Sequence, residues 1–170
     1  MKLKEYQMYI DGEYVDADNN LRFNSIDPSL ETEWCSVPEA SERDVDKAVS
    51  AAKKAFQEWS KTDVQKRANY LRLIGDKIYE HSEHLGRIET IDSGKLLTET
   101  TFQAKYMKDY FYFYADLLMK MDDERTVPDI DKPNMIVTER YEAIGVLAFL
   151  LPFNSQSFLL TTKLAPALAA

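Results

Sequence analysis

Apolar residues recur along this chain with two different periods, and the change of period divides it. Over residues 6–15, YQMYIDGEYV places short aromatic and β-branched runs on either side of Asp11-Gly12. That pair suits a type I′ turn, because both central positions tolerate positive φ, and the segment predicts a hairpin. A second strand pair is expected at 21–26 and 33–37, divided by Asp27-Pro28, so the region reads as an antiparallel apron. At Ser41 the period lengthens. Val45, Ala48, Val49, Ala52, Ala55, Phe56 and Trp59 follow at steps of three and four, with Ser41 placed as N-cap and acidic residues in the first turn. That pattern predicts an amphipathic helix.

A second helix is expected over 64–81, with Val64, Ala68, Leu71, Gly75 and Ile78 on one face. Ser82 is the expected cap of a third helix running to Asp92, and Gly94 is placed as its left-handed C-cap. Residues 98–121 predict a long helix with two apolar stripes. Phe102, Tyr106, Tyr110, Phe113 and Leu117 form one; Met107, Phe111, Tyr114 and Leu118 form the other. A helix apolar on several faces expects several neighbours, and both a core helix and one that also lines a ligand passage fit the pattern.

Residues 122–133 read as a polar, Pro-containing connection, and NMIVTERY (134–141) alternates like a half-exposed strand. IGVLAFLL (144–151) is an unbroken apolar run ending at Pro152, as expected of a parallel strand covered by helices on both faces. Such a strand needs parallel neighbours and crossover helices, for which no length remains. The ending TTKLAPALAA has no polar tail either, so the pattern predicts an interrupted chain.

Composition narrows the function classes. With 170 residues, 45% hydrophobic and 12% aromatic, a packed core is expected. A net charge of -8 with no basic face argues against nucleic acid as a partner. The start MKLKEYQMYI has no signal-like apolar stretch, and the longest apolar run, 143–153, is about half a membrane-spanning helix. No membrane partner is expected, and a cytoplasmic protein fits best. Cys35 is the only cysteine, and His81 and His84 have no third ligand nearby, so neither disulfides nor zinc are expected. In the strand-like run EWCSV, with no histidine base close in sequence, Cys35 reads as a packed thiol rather than a nucleophile.

The chain resembles the aldehyde dehydrogenase superfamily from YIDGEYV through the EASERDVDKAVSAAKKAFQEWS helix and ETIDSGK to YEAIGVLAFLLPFNSQSFLLTTKLAPALAA. The closing segment is the specific signature. The family pattern Pro-Trp-Asn-Phe-Pro followed by Lys-x-x-Pro-Ala-Leu-Ala is matched at Pro152, Asn154, Lys163, Pro166, Ala167, Leu168 and Ala169. The resemblance implies an α/β fold: the amino-terminal portion of a dinucleotide-binding domain, with β-hairpins, a helical layer and the first parallel strand. It divides the chain into hairpins and helices over 1–123, a subunit-bridging arm over 124–142, and the first strand and helix of an incomplete dinucleotide-binding sheet over 143–170.

The resemblance also implies site roles. Asn154 would donate its amide to the substrate oxygen as a thiolate attacks the carbonyl, where negative charge develops and a preorganised donor is worth about 3 kcal/mol. As a residue type in that place, Asn154 is equally a good helix N-cap. Lys163 would assist proton relay or orient the site. Leu150, Leu151, Pro152 and Phe153 would line the nicotinamide half of NAD or NADP. Ser25 and Asp92 match positions that hold a monovalent cation in some relatives, although capping of nearby amides is the commoner role for such an aspartate. Met107 and Ser155 would border the channel for a small aldehyde, and a homo-oligomer is implied. Phe153 in place of tryptophan, and Ser155-Gln156 in place of an aromatic-proline pair, depart from the pattern and imply a remodelled channel mouth. The glycine turn for the pyrophosphate, the general-base glutamate and the nucleophilic cysteine of the family would all fall beyond Ala170. The chain alone is therefore expected to be inactive, or to act only as an assembly module.

Overall fold

Turn chemistry sets the first third of the chain. The structure is a computed structural model, and it describes residues 3–121, 124–127 and 135–170. Strands β1 (Lys4–Glu5), β2 (Met8–Ile10) and β3 (Glu13–Val15) come first. Asp11 and Gly12 adopt φ of 52° and 85°, and the turn they make pairs β2 with β3 in the register Tyr9↔Tyr14. The hairpin is thus the one expected from Asp-Gly. β4 (Arg22–Asp27) and β5 (Thr32–Pro38) pair antiparallel with Ser25 opposite Cys35, and β1 adds in parallel to the other edge of β5.

Helix α1 (Glu42–Trp59) starts at a complete capping box, in which Ser41 and Asp44 satisfy each other's backbone amides. The Asp44 carboxylate is buried and also accepts from the Asp18 amide, so it fastens the helix start to the loop after β3. Backbone amides of Ser41 and Asp18 favour its charged form and lower its pKa from 3.8 to about 2. The apolar face behind this start is less covered than its periodicity suggests, with Val45 54% exposed.

α2 (Val64–Glu80) is capped by Asp63 and leads directly into α3 (Ser82–Ser93). Ser82 is not the cap expected of it. The chain turns so tightly at His81 that one residue ends α2 and begins α3, and Ser82 is carried into the helix and buried. Gly94 does close α3 in the left-handed region, at φ 74°.

α4 (Leu97–Leu118) runs back along both helices. A Cβ on Gly86 of α3 would meet backbone atoms of Thr101 at 2.8 Å, so only glycine permits this approach. Of the two stripes on α4, Met107, Phe111 and Leu118 turn inward with Ala104 and Ala115. Phe102 and Phe113 stay 69% and 60% exposed. Only one of the two faces has found a full set of neighbours.

β6 (Glu124–Thr126) and β7 (Thr138–Arg140) form an antiparallel ribbon. The expected strand at 134–141 is realised only in β7, and residues 122, 123 and 128–134 of that region lie outside the described residues. α5 (Gln156–Ala169) then packs on α2 and α4, where Ala165 and Ala169 join Ala68, Leu71, Phe111, Ala115 and Leu118 in the main core. Arg67 of α2 donates to the backbone oxygen of Ala170, which anchors the far end of α5.

The fold is α/β, with helices beside parallel and antiparallel strand pairs, as expected. One element of that expectation is corrected: residues 144–151 do not form a parallel strand. A strand is defined by hydrogen bonds to a neighbour, and none of the described strands lies beside this run. Ile144 and Leu150 are consequently 92% and 91% exposed. Among the described residues, no helix is long and apolar enough to cross a membrane.

The lowered Asp44 pKa has a definite consequence in acid. The carboxylate contributes its stabilisation above its ordinary pKa of 3.8, and that contribution is lost as pH falls through about 2. The urea midpoint of the chain should therefore fall across this window. The midpoint of Asp44→Asn, already lower at neutral pH, should fall less across the same window. Equal acid sensitivity of the two proteins would rule this carboxylate out.

Candidate active site

Site chemistry gathers where the loop after α3 meets the start of α5. Gly94 turns the chain sharply, so Asp92 and Lys95 on either side of it both face the turn that leads into α5. Ser25 on β4 donates its hydroxyl to one Asp92 oxygen at 2.6 Å, and Gln156 donates its side-chain amide to the other at 3.1 Å. The two residues matched to a cation position, Ser25 and Asp92, are therefore in contact. Two neutral donors already stabilise the carboxylate's charge, and no group of three or more His, Cys, Asp or Glu side chains with metal-holding geometry occurs among the described residues.

The Lys95 ammonium donates to Ser155 Oγ at 2.8 Å and to Gln103 Oε1 at 2.7 Å. Glu99 lies 3.4 Å away and the buried Glu89 3.8 Å away. An ammonium has three donor directions, and on this side chain, only 18% exposed, two of them are taken up by Ser155 and Gln103, with the two carboxylates beside it. Ser155 is the residue before α5, but its hydroxyl makes no capping bond, because it is taken up by Lys95. The cap position thus falls to Ser155, not to Asn154.

Asn154 is exposed on this turn, and its carboxamide has no partner among the described residues. Beside it Leu150 and Phe153 are 91% and 86% exposed, and Leu151 and Pro152 are exposed as well. Lys163 is half-buried on α5, about two turns beyond the helix start. Met107 lies on the buried face of α4. Phe158 of α5 meets Tyr110 edge-on at 5.3 Å and stacks near Tyr106 at 6.4 Å, so an aromatic group flanks the same end of α5.

Cys35 is buried on β5, and its thiol pKa is raised, first by burial and then by the nearby Asp92 charge. Both effects suppress the thiolate, as the packed-thiol reading requires.

Several residues of this cluster escaped the sequence reading, Lys95 and Gln156 among them. Lys95 stands in the quoted ETIDSGK, yet nothing local marks its partner 60 residues away. Gln156 was visible only as a departure from the family pattern.

Comparison with known proteins gives the family of the chain. Residues 14–170 match the aldehyde dehydrogenase family. The chain belongs to that family. It is 36% identical over 170 residues to a (Z)-2-((N-methylformamido)methylene)-5-hydroxybutyrolactone dehydrogenase of Acinetobacter baylyi, covering 99% of this chain and 34% of that protein. It is 39% identical to the peroxisomal aminoaldehyde dehydrogenase 1 of Pisum sativum, covering 96% of this chain and 34% of that one. Among solved structures, betaine aldehyde dehydrogenase of Staphylococcus aureus in complex with NAD+ superposes with a TM-score of 0.88 at 33% identity, covering 96% of this chain and 32% of its own. This aldehyde dehydrogenase family chain spans about a third of the length of the relatives it matches.

The thiol environment is directly measurable. At neutral pH the native chain should react with iodoacetamide roughly a hundredfold more slowly than the urea-unfolded chain. Equal rates would mean that Cys35 is accessible and ionised, contrary to its position.

Proposed function

We propose that this chain is the amino-terminal part of an NAD(P)-dependent dehydrogenase that oxidises a small aldehyde to a carboxylic acid through a cysteine thiohemiacetal. The observation that carries this reading is the exposed carboxamide of Asn154, without a partner among the described residues, on the turn into α5 and inside the matched family segment. A carboxamide donor with no internal partner is available to an oxygen that gains negative charge, and a short turn anchored by its neighbours keeps the cost of orienting it low.

The exposed Leu150, Leu151, Pro152 and Phe153 suit one wall of a flat, largely apolar ring such as nicotinamide. NAD or NADP, when bound, would supply the hydride acceptor. Lys163 would orient groups along α5, and Met107 and Ser155 would border the aldehyde's path. Cys35 is buried and its thiol is held neutral, so the nucleophile is not furnished by this chain, and the isolated 170 residues are expected to be inactive.

A second reading, an assembly role, is favoured by one observation. The β6–β7 ribbon is two-stranded, with Met135, Ile136 and Tyr141 beside it 56%, 87% and 60% exposed. Such ribbons are marginal alone and gain by pairing with another edge. In light scattering of the purified chain, Ile136→Lys should shift the protein toward monomer; an unchanged mass would remove the ribbon from any assembly.

For catalysis, Asn154→Ala in a dehydrogenase carrying this chain should lower kcat by about 10² to 10³ and leave the KM for aldehyde nearly unchanged. An undiminished kcat would sink the role given to Asn154.

A further inference from the structure

Ser155 and Gln156 replace the aromatic-proline pair of the family pattern, and the structure gives both of them polar partners across a long stretch of chain. Gln156 reaches Asp92, 64 residues earlier, and Ser155 reaches Lys95, 60 residues earlier. The two anchors flank the left-handed Gly94, which brings their side chains to the same side of the loop after α3. The two anchored residues are consecutive and come immediately after Asn154.

We propose that Asp92 and Lys95 are positioning residues that clasp Ser155 and Gln156, and so fix the turn that presents Asn154.

The chemistry favours a clasp over incidental contact. Lys95 is held by Gln103 as well as by Ser155, with Glu89 and Glu99 close by, so its ammonium is preset before Ser155 is engaged. Glu89 is 7% exposed and its Oε1 has no hydrogen-bond partner among the described residues, so Lys95 is the cation that offsets this buried charge. Moving Lys95 away would uncover that charge, which resists release of Ser155. Asp92 is preset in the same manner by Ser25 on β4. A hydrophobic residue and a proline at 155 and 156 would stiffen the turn through their own covalent and packing restraints. With serine and glutamine there, stiffness has to come from bonds to a rigid neighbour.

The consequence for Asn154 rests on the function proposed above, whereas the clasp itself does not, and the experiment separates them. Amide hydrogen exchange over residues 154–162 is measured on the chain for Ser155→Ala, Lys95→Met and Lys95→Arg. Ser155→Ala and Lys95→Met should each speed exchange in this segment about tenfold while leaving the α2–α4 core unchanged. The two changes together should do little more than either alone. Lys95→Arg, which retains a donor toward Ser155, should restore most of the protection.

Should Lys95→Met fail to fold, Ser155→Ala, which leaves the Lys95–Glu89 pair intact, decides the matter. Unchanged exchange in Ser155→Ala, or full additivity of the pair, overturns the clasp. In a dehydrogenase carrying this chain, Ser155→Ala should lower kcat severalfold at constant KM. Faster exchange with undiminished kcat overturns the positioning of Asn154. Faster exchange in a protein that oxidises no aldehyde upholds the clasp and overturns only the function.

Discussion

Three helices can bury Phe111 only because small residues line their contacts. Ala68 of α2, Ala115 of α4, and Ala165 and Ala169 of α5 are buried in the same cluster, and a Cβ on Gly75 of α2 would lie only 3.2 Å from the Phe111 Cβ and 3.2 Å from the Lys108 backbone oxygen. Larger residues there would hold the axes apart and leave voids that cost more than the side chains contribute. Much of the fold depends on that close packing. It sets the line of α4, against which α3 lies through Gly86, and it sets the height at which α5 begins.

The start of α5 is where packing becomes chemistry. The helix is held at its far end by apolar contact and by the Arg67 bond to Ala170, and at its near end by polar bonds to the loop after α3. An apolar face fixes a helix in the plane of contact but tolerates sliding, whereas directional bonds to Asp92 and Lys95 resist it. Asn154 therefore sits one residue from a defined point although it is itself exposed and has no partner among the described residues. Unspent donor capacity beside a fixed anchor is the arrangement a charge-stabilising group requires.

Elsewhere the structure carries apolar surface without a cover. A groove of about 750 Å³ runs between α1, α2, α5 and residues 143–149, lined by Phe56, Trp59, Tyr70 and Leu164 among others. The half-open face of α1 and the unpaired run at 144–151 are two sides of it. Both have compositions suited to burial, which explains why their periodicity promised more contact than they make among the described residues.

Residue order alone determined whatever depends on neighbours within a turn or two. Asp11-Gly12 specified the hairpin, Ser41 with Asp44 the start of α1, and Gly94 the end of α3, because the groups that satisfy each other there are separated by four residues or fewer. The family segment around Asn154 was legible in the same direct way. Where the bond partner is distant, the sequence was silent or misleading. Ser82 looked like a cap until the tight junction at His81 drew it into α3. Residues 144–151 had the composition of a parallel strand, but a strand exists only through a neighbour. The pairings of Gln156 with Asp92 and of Lys95 with Ser155 were decided only when α2, α4 and α5 packed. A hydrogen bond between residues 60 or more apart is set by where the core places their backbones, not by their spacing along the chain.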